Sequence, residues 1–397
     1  MEMQTKLKVN RPDYHGGSLV NLMTSIGQAF GREAQDYPGC RSLAGIDLTD
    51  YDNLILLVVD GMGYDYVQAS TGFYKDHCHA SLTSVFPSTT ATSITAYLTG
   101  QAPQQHGLTG WFTYLKETGG VTAVLPCMLR GSQQSISLQG HDIARLYNHP
   151  SFFDELAPGN DRVTSAVVSP NWILDSEFNQ CHLGKAVPCG YEGLDEMFAQ
   201  MANCVKATKD RQYIYAYWPE FDHLSHVHGN QSDPVAEHYL QIQQATEKFL
   251  AEVKGTNTLV LITADHGFID TQPERCITVN DHPVLQSCLR MPLSGEPRAA
   301  YCYLHEDKHE VFVDYVNNQF ASQLDCVPSQ DLLEDNWFGL GVAHPQLENR
   351  IGDYTLLMKE NFIIKDWLET EKRFFHYGVH GGVSQQEMFI PLIPLPG

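Results

Sequence analysis

The sequence predicts an α/β protein built on a doubly wound, mostly parallel sheet flanked by helices. Continuous apolar runs, typical of buried parallel strands, recur along the chain at residues 54–59, 166–168, 213–217 and 259–262. Segments with helical periodicity lie between these runs, at residues 190–207 and 234–254. In a sheet of this class, ligands bind beyond the carboxyl ends of the strands.

The first elements already bring a carboxylate to such a strand end. Residues 18–31 have the spacing of an amphipathic helix, with Ser18 as its N-cap. The apolar run 54–59 then ends in Asp60 and Gly61. A carboxylate at the end of so apolar a strand needs a partner, because burying it alone is costly, and a metal ion would supply one. A turn-forming aspartate is the alternative.

The next helix begins with three hydroxyl groups. Pro87 discourages a helix before it, Ser88 or Thr89 can cap one after it, and Gly100 suits its C-terminal end. Unpaired backbone N–H groups at such a helix start attract a phosphate, and a hydroxyl there could attack it. Taken alone, the hydroxyls of Ser88, Thr89 and Thr90 are equally compatible with simple capping of a buried helix.

A second candidate site follows the apolar run 213–217. Asp222 and His226 are one helical turn apart and face the same way, which is the spacing of half a zinc site. His223 and His228 point elsewhere on the same helix, so we expect them at the surface or outside the ligand set.

Two more strand ends carry ligand-type residues. The motif Thr263-Ala264-Asp265-His266-Gly267 comes directly after the run 259–262, and His380 precedes two glycines that let the main chain pass close to a ligand. The predicted sites together supply three carboxylates and three histidines, which suits two zinc-type ions next to one open hydroxyl. A metal pair about 4 Å apart can clamp the attacking and leaving oxygens of a phosphoryl transfer.

The region from about 270 to 350 differs from the rest of the chain in its composition and in the pattern of its predicted elements. A short strand near 300–304 and a helix at 308–321 stand among acidic and polar loops, and the chain returns to the core near Tyr354. We therefore expect one catalytic domain, residues 1–397, with a cap subdomain inserted at about 270–350.

The composition of the chain argues against some classes of binding partner and bears on its cellular compartment. Acidic residues outnumber basic ones 47 to 25, a formal charge of −22, which argues against nucleic-acid polymers and anionic membranes. The chain has no apolar stretch of membrane-spanning length and no signal-like run in residues 1–21. Its ten cysteines contain no Cys-x-x-Cys pair, so we expect reduced thiols in the cytoplasm, or in the periplasm if a leader has been removed.

The motifs together resemble those of the alkaline phosphatase superfamily, and most closely its type I phosphodiesterase/nucleotide pyrophosphatase family. They occur in the family's order: Asp60-Gly61, Thr99-Gly100, Asp222-x-x-x-His226-x-x-Gly229, Asp265-His266-Gly267 and His380-Gly381-Gly382. The resemblance implies an alkaline-phosphatase-like fold and hydrolysis of phosphoric ester or phosphoanhydride bonds in a small substrate, such as a nucleotide diester or pyrophosphate.

The resemblance also implies roles for these residues. Two divalent ions, zinc or else manganese or another divalent metal, would be held by two ligand sets: Asp60, Thr90, Asp265 and His266 for one, and Asp222, His226 and His380 for the other. The family's spacing counted back from Gly100 selects Thr90 as the nucleophile, with Thr89 as the fallback. Thr90 would form a phospho-threonine that water then hydrolyses.

One departure from the family bears on the substrate. The diester-cleaving branch often has an asparagine a few residues past a His-Gly pair, whereas this chain has Trp111 near that position, followed by Phe112. These two aromatic residues are our candidate substrate contacts, and wall residues are the alternative. A phosphonate hydrolase, a phosphomonoesterase and a non-catalytic metal-binding protein remain alternative functions, while the absence of a Cys-x-Pro-x-Arg motif disfavours a sulfatase.

Overall fold

The computed structural model describes residues 9–33, 36–132, 134–147, 149–157 and 162–397. Its strands are β1 (Asn53–Val59), β2 (Ala80–Thr83), β3 (Phe112–Leu115), β4 (Gly120–Ala123), β5 (Met128–Leu129), β6 (Val163–Pro170), β7 (Val187–Tyr191), β8 (Arg211–Trp218), β9 (Thr258–Thr263), β10 (Ile269–Asp270), β11 (Cys276–Thr278), β12 (Ser294–Glu296), β13 (Ala299–Cys302), β14 (Leu324–Pro328), β15 (Tyr354–Met358), β16 (Ile363–Lys365), β17 (Gly378–Val379) and β18 (Phe389–Pro396).

The α-helices cover both faces of the larger sheet or pack on the smaller one. They are α1 (Leu19–Ala29), α2 (Tyr64–Ala69), α3 (Phe73–His77), α4 (Thr90–Thr99), α5 (Pro103–His106), α6 (Ile143–Leu146), α7 (Phe152–Glu155), α8 (Asn171–Leu174), α9 (Glu177–His182), α10 (Leu194–Ala207), α11 (Glu220–His228), α12 (Asp233–Glu252), α13 (Pro283–Cys288), α14 (His309–Phe320), α15 (Ser329–Glu334), α16 (Leu347–Arg350) and α17 (Gln385–Met388).

The main sheet has seven strands in the order β2-β18-β9-β1-β8-β6-β7. β1 lies at its centre and pairs in parallel with β8 on one side and β9 on the other. All seven residues of β1 are buried, as are all six of β9, because helices cover both faces of the sheet. The predicted α/β class with a mostly parallel sheet is confirmed, and the sheet's centre is formed by the three strands that precede the predicted aspartates.

Most predicted elements appear with small shifts at their ends. The first helix runs from Leu19 to Ala29 and is capped by Ser18, whose side chain accepts a hydrogen bond from the Asn21 N–H. The helix expected at 190–207 begins only at Leu194, and the one expected at 234–254 spans Asp233–Glu252. The second of these two helices differs by only one or two residues at each end, where helix boundaries are least well defined. The first of the two differs by four residues at its start, because Gly190 and Tyr191 belong to β7.

Three strands of the main sheet, β2, β7 and β18, were not predicted. β18 lies between β2 and β9 and pairs antiparallel with both. It contains Pro391, Pro394 and Pro396, which cannot donate to a ladder and therefore argue against a central strand. β2 is only four residues long, so its sequence carries too little periodicity to be recognised.

A second sheet also has seven strands, in the order β14-β15-β13-β12-β3-β4-β5. Its strands have at most five residues each, so we call it the smaller sheet. It combines strands from the region 294–358 with three short ones from 112–129, which lie outside the expected cap at 270–350. The insertion of a cap into a single catalytic domain stays a prediction. The smaller sheet contains strands from inside the expected cap and strands from outside it.

The structure gives two further observations on the composition-based expectations. None of the helices in the described residues has the length and apolarity needed to cross a membrane. All ten cysteines are free thiols. The cellular compartment stays a prediction.

Candidate active site

The three predicted aspartates follow three adjacent strands at the centre of the main sheet. Asp60 comes directly after β1, Asp265 lies two residues after β9, and Asp222 lies in the first turn of α11 after β8. Because these strands are parallel neighbours, their carboxyl ends meet at one edge, and the three side chains converge there.

Asp60, Asp265 and His266 form one tight group of potential ligand atoms, all within 4.8 Å of one another. His266 Nε2 lies 3.3 Å from Asp60 Oδ1 and 3.3 Å from Asp265 Oδ2. The Tyr217 hydroxyl donates to Asp60 Oδ2, and the Gly61 N–H donates to Asp265 Oδ1 at 2.9 Å. One oxygen of each carboxylate is thereby held by the protein, while the other faces the imidazole.

The tautomer of His266 leaves its Nε2 atom free to accept a hydrogen bond. Its Nδ1 lies 3.0 Å from the Gly267 carbonyl oxygen, which can only accept, so Nδ1 carries the proton. The Thr90 Oγ1 lies 3.1 Å from Nε2 and donates to it. Thr90 is the first residue of α4, so its hydroxyl sits at the helix N-terminus and beside the first ligand group.

Asp222, His226 and His380 form the second group. Asp222 Oδ1 lies 3.5 Å from His226 Nε2 and 3.7 Å from His380 Nε2, and the two Nε2 atoms are 3.2 Å apart. His226 Nδ1 donates to the Gly378 carbonyl oxygen at 2.8 Å, which directs its Nε2 inward. The structure therefore brings together all seven residues that the sequence singled out for metal binding.

The two groups are not fully separate. His266 Nε2 also lies 3.9 Å from Asp222 Oδ1, and the ring of His266 stacks on that of His380 with centroids 3.7 Å apart. Asp222, His266 and His380 accordingly also form a compact set of ligand atoms. His223 and His228 are exposed on α11 and take no part in either group, as expected.

The buried carboxylates of both ligand groups favour the binding of a cation. Asp60 Oδ1, Asp222 Oδ1 and Asp265 Oδ2 are buried and have no hydrogen-bond partner among the described residues. Burial, reinforced by the neighbouring carboxylates, raises the pKa of Asp265 to about 8, and burial raises that of Asp60 to about 6. Burial lowers the pKa of His226 to about 3, which keeps its imidazole neutral. Orphaned carboxylate oxygens beside neutral imidazoles fit divalent metal ions such as zinc.

The capping roles expected for Ser88 and Thr89 are not what the structure shows. Thr89 occupies the N-cap position of α4, but its side chain makes no capping bond. Its hydroxyl donates to Glu296 Oε1 at 2.7 Å, and the Ser88 hydroxyl donates to the Gly382 carbonyl oxygen at 2.7 Å. Both hydroxyls are engaged by partners distant in sequence, so Thr90 alone of the three faces the ligand groups.

Glu296 is a residue of the site that the sequence did not reveal. It ends β12 of the smaller sheet, is buried, and accepts hydrogen bonds from Thr89 and from the Trp111 N–H, the latter at 2.6 Å. Burial raises its pKa to about 7. Gly381 has a φ of +103°, and a Cβ there would lie 2.6 Å from Glu296 Cβ, so the glycine next to His380 is what admits this glutamate. Because Glu296 and Gly381 are distant in the sequence, no short sequence pattern predicts that they meet.

A buried ion pair joins the smaller sheet to the His380 loop. Arg298 donates to both carboxylate oxygens of Glu387, at 3.0 and 2.8 Å, and Glu387 Oε1 also accepts from the Gly382 N–H at 2.8 Å. Burial alone would raise the pKa of Glu387, but the Arg298 charge and these hydrogen bonds outweigh it, so the pKa is lowered. The loop that carries His380 is therefore held by Glu387 of α17, which Arg298 of the smaller sheet holds in turn.

The site opens into a cavity of about 610 Å³ whose lining includes Thr90, Asp222, His226 and His380. Trp111 and Phe112, the expected substrate contacts, both line it. The ring of Phe112 lies under the Arg130 guanidinium, 4.7 Å from its carbon, while Trp111 is 39% exposed. Both aromatic residues can thus contact a ligand that reaches Thr90, and substrate contact itself stays a prediction.

Comparison with protein families gives one match over most of the chain. The family model described as type I phosphodiesterase / nucleotide pyrophosphatase matches residues 54–382, a span that contains every residue of both ligand groups. No curated protein sequence matches the chain.

Comparison with solved structures gives relatives of the same fold. Murine ectonucleotide pyrophosphatase / phosphodiesterase 5 is similar with a TM-score of 0.63 and 15% identity, over 85% of this chain and 87% of that one. An inactive variant of the murine protein, with one threonine replaced by alanine, has been solved in complex with AMP. Phosphonoacetate hydrolase from Sinorhizobium meliloti 1021, in complex with phosphonoformate, has a TM-score of 0.58 and 17% identity, over 86% of this chain and 89% of that one.

Proposed function

This chain belongs to the type I phosphodiesterase / nucleotide pyrophosphatase family, and from that premise we propose that it hydrolyses small phosphodiesters or pyrophosphates in two steps. Thr90 is the proposed nucleophile, with a phospho-threonine intermediate that water releases. Two divalent metal ions, zinc in the first instance, are the proposed cofactors.

The observation that carries this proposal is the position of the Thr90 hydroxyl. It lies at the N-terminus of α4, 3.1 Å from His266 Nε2, within a cavity that Asp222 and His380 also line. A free threonine hydroxyl is a poor nucleophile and needs an activating group beside it. The inactive threonine-to-alanine variant of the murine neighbour supports a threonine in this role.

The proposed metal sites use all seven ligand residues. Asp60, Thr90, Asp265 and His266 would hold one ion, and Asp222, His226 and His380 the other, with His266 within reach of both. When bound, divalent ions supply positive charge that keeps the carboxylates ionised and stabilises the charge on a phosphoryl group.

The chain's own groups account for the rest of the mechanism. His266 Nε2 orients the Thr90 hydroxyl, because it accepts that hydroxyl's hydrogen bond. Because Thr90 is the first residue of α4, a phosphoryl group attached to it would lie at a helix N-terminus, where the backbone N–H groups of the first turn stabilise negative charge. The Gly378 carbonyl holds His226 in one tautomer, and burial keeps its imidazole neutral.

The substrate we propose is a small phosphodiester or a nucleotide pyrophosphate, with an aromatic substituent against Trp111 and Phe112. The AMP complex of the murine neighbour supports a nucleotide. A phosphonate hydrolase is the second candidate, favoured by the similarity to phosphonoacetate hydrolase. We propose the cytoplasm as its location on the basis of the ten free cysteines.

A rate comparison across bis-p-nitrophenyl phosphate, p-nitrophenyl phosphate, a dinucleotide pyrophosphate and phosphonoacetate tests the proposal. We expect the diester and the pyrophosphate to be cleaved fastest, with activity abolished by a chelator and restored by zinc or manganese. Faster cleavage of phosphonoacetate would favour the second candidate. A zinc-loaded protein that cleaves none of the four would contradict the enzymatic function itself.

A further inference from the structure

Three basic side chains line the cavity that contains Thr90: Arg130, Lys365 and Lys372. Arg130 is already neutralised, since it lies 2.7 Å from Asp366 and 2.8 Å from Glu371 and also donates to backbone carbonyls. Lys372 is exposed to solvent. Lys365 differs from both, because it is half-buried and forms no ion pair with a described residue, although the carboxylates of Glu296 and Glu371 act on its charge from farther away.

The surroundings of Lys365 hold its ammonium group without neutralising it. Among the residues that the structure describes, no carboxylate oxygen lies within 4 Å of Nζ, and no hydrogen bond is formed by it. The ammonium lies 5.3 Å from the ring centroid of Trp367 and 4.6 Å from that of Phe374, which are cation–π distances. Burial lowers its pKa.

Lys365 is also fixed in place and close to the reacting groups. Its backbone belongs to β16, which pairs with β11. Burial is the main cause of the shifted pKa values of His226 and Glu296, which line the same cavity, and the Lys365 charge adds a small effect on each: it lowers the pKa of His226 further and opposes the rise in that of Glu296. The ammonium is therefore within electrostatic range of the second ligand group and of the glutamate beside Thr89.

We propose that Lys365 binds a second anionic group of the substrate, carried on a substituent of the phosphorus; this rests on the proposed function. A partly desolvated ammonium that lacks a counter-ion gains a charge-assisted hydrogen bond when a carboxylate or a phosphate reaches it. The lining of the cavity that holds both this lysine and Thr90 includes the apolar side chains of Phe112 and Ile364, which suit an aromatic spacer. The substrate class is thus a phosphodiester with an aromatic group and a further negative charge.

Matched substrates test this directly. Three 4-nitrophenyl phosphodiesters share a phenyl group on the other ester oxygen and differ only in its para substituent: carboxylate, phosphonate or the neutral carbamoyl group. We expect kcat/KM for the carboxylate and the phosphonate to exceed that for the carbamoyl compound by about tenfold or more. A larger ratio for one of the two anions identifies which group the site accepts.

Two lysine variants separate the specific contact from general attraction. In Lys365→Met, which keeps the length and removes the charge, we expect the ratio of anionic to neutral substrate to fall to about one. In Lys372→Met, the matched control at the exposed position, we expect most of the ratio to remain. A ratio that persists in Lys365→Met, or disappears only in Lys372→Met, overturns the proposal.

A binding measurement makes the result independent of turnover. Calorimetric titration of the zinc-loaded protein with 4-carboxyphenylphosphonate and 4-carbamoylphenylphosphonate should show about tenfold tighter binding of the carboxylate, and no difference in Lys365→Met. Cleavage of all three diesters at equal rates contradicts the role of Lys365 and leaves the proposed function standing. No cleavage of any diester, together with the binding preference, contradicts the proposed function and leaves the role of Lys365 standing.

Discussion

Two clusters of histidines, each with two buried rings and one half-buried ring, are alike in burial and differ in what surrounds them. In the first, the active-site cluster, His226, His266 and His380 each place Nε2 within 4 Å of an aspartate oxygen. In the second, the helical cluster, His106, His149 and His182 pack with ring centroids 6.1 and 4.9 Å apart. Ring nitrogens of all three lack hydrogen-bond partners among the described residues.

Among the described residues, no aspartate or glutamate completes a ligand set in the helical cluster. In the described part of the chain, its ligand atoms do not come within 4.8 Å of one another in a group of three. Its charged neighbour is Arg350, whose guanidinium lowers the pKa values of His106 and His149 in addition to the effect of burial. Unpaired imidazoles therefore do not define a metal site; converging carboxylates do.

The sharpest test of this comparison is Thr90→Ala, which removes the one hydroxyl next to the active-site cluster. We expect kcat/KM on a diester to fall by roughly 10³-fold or more, as when a covalent nucleophile is removed. Thr89→Ala is the matched control, because it loses only a hydrogen bond to Glu296, and we expect a loss below about 10-fold. Equal losses in both, or a large loss only at Thr89, would contradict the assignment.

The second test replaces a carboxylate of the active-site cluster. Asp222→Asn keeps the shape of the side chain and removes its charge, so we expect zinc affinity to fall by more than about 100-fold, since loss of even an outer partner of a ligand costs 10- to 100-fold. Competition with a chromophoric chelator measures this. Zinc affinity equal to that of the unaltered protein would exclude Asp222 from the ligand set.

The third test concerns acid stability, which we assign to the helical cluster. Burial lowers the pKa of His182 to about 4, so the folded state takes up its proton later than the unfolded chain does. Stability is therefore full above pH 6.5 and falls as the pH drops toward 4, with a loss from this residue of about 2 kcal/mol at pH 5 relative to pH 8. The free energy of unfolding of the zinc-loaded protein, followed against pH, should be flatter in His182→Gln than in the unaltered chain.

His223→Gln, which alters an exposed histidine of α11, is the control for that experiment and should leave the pH profile as it is. An identical profile in His182→Gln would assign the acid sensitivity elsewhere.

The smallest expected effect is that of His149→Phe on metal content. The helical cluster holds no ion on our account, so zinc per chain, measured by atomic emission after dialysis, should be unchanged. A loss of zinc in this variant would make the helical cluster a metal site and break the comparison.

The sequence predicted the active-site cluster because its members stand at recognisable local positions. Asp60 and Asp265 follow apolar strands within two residues, and Asp222 and His226 share a helix face. Gly100 adopts the left-handed conformation (φ +66°) expected at the end of α4. Each of these signals is contained in a few consecutive residues, and parallel pairing brings them together.

What the sequence did not predict depends on contacts between distant segments. Glu296, Lys365 and the helical cluster lie in elements whose neighbours are set by tertiary packing, and no periodicity marks them. The bonds that Glu296 accepts from Thr89 and Trp111 join residues that are 207 and 185 positions apart in the chain. The hydroxyls of Ser88 and Thr89 were assigned to local caps for the same reason, since only the fold reveals their distant partners.

The pairing of β2 with β18 has a consequence for how quickly the site can form. β2 leads into the segment that carries Thr90, β18 follows the segment that carries His380, and Thr83 pairs with Phe389. This ladder joins residues near opposite ends of the chain, so it is among the most non-local contacts in the protein, and such contacts form slowly during folding. The nucleophile and the His380 loop therefore take up their relative positions late, and enzymatic activity should return after the helical signal when the denatured chain refolds.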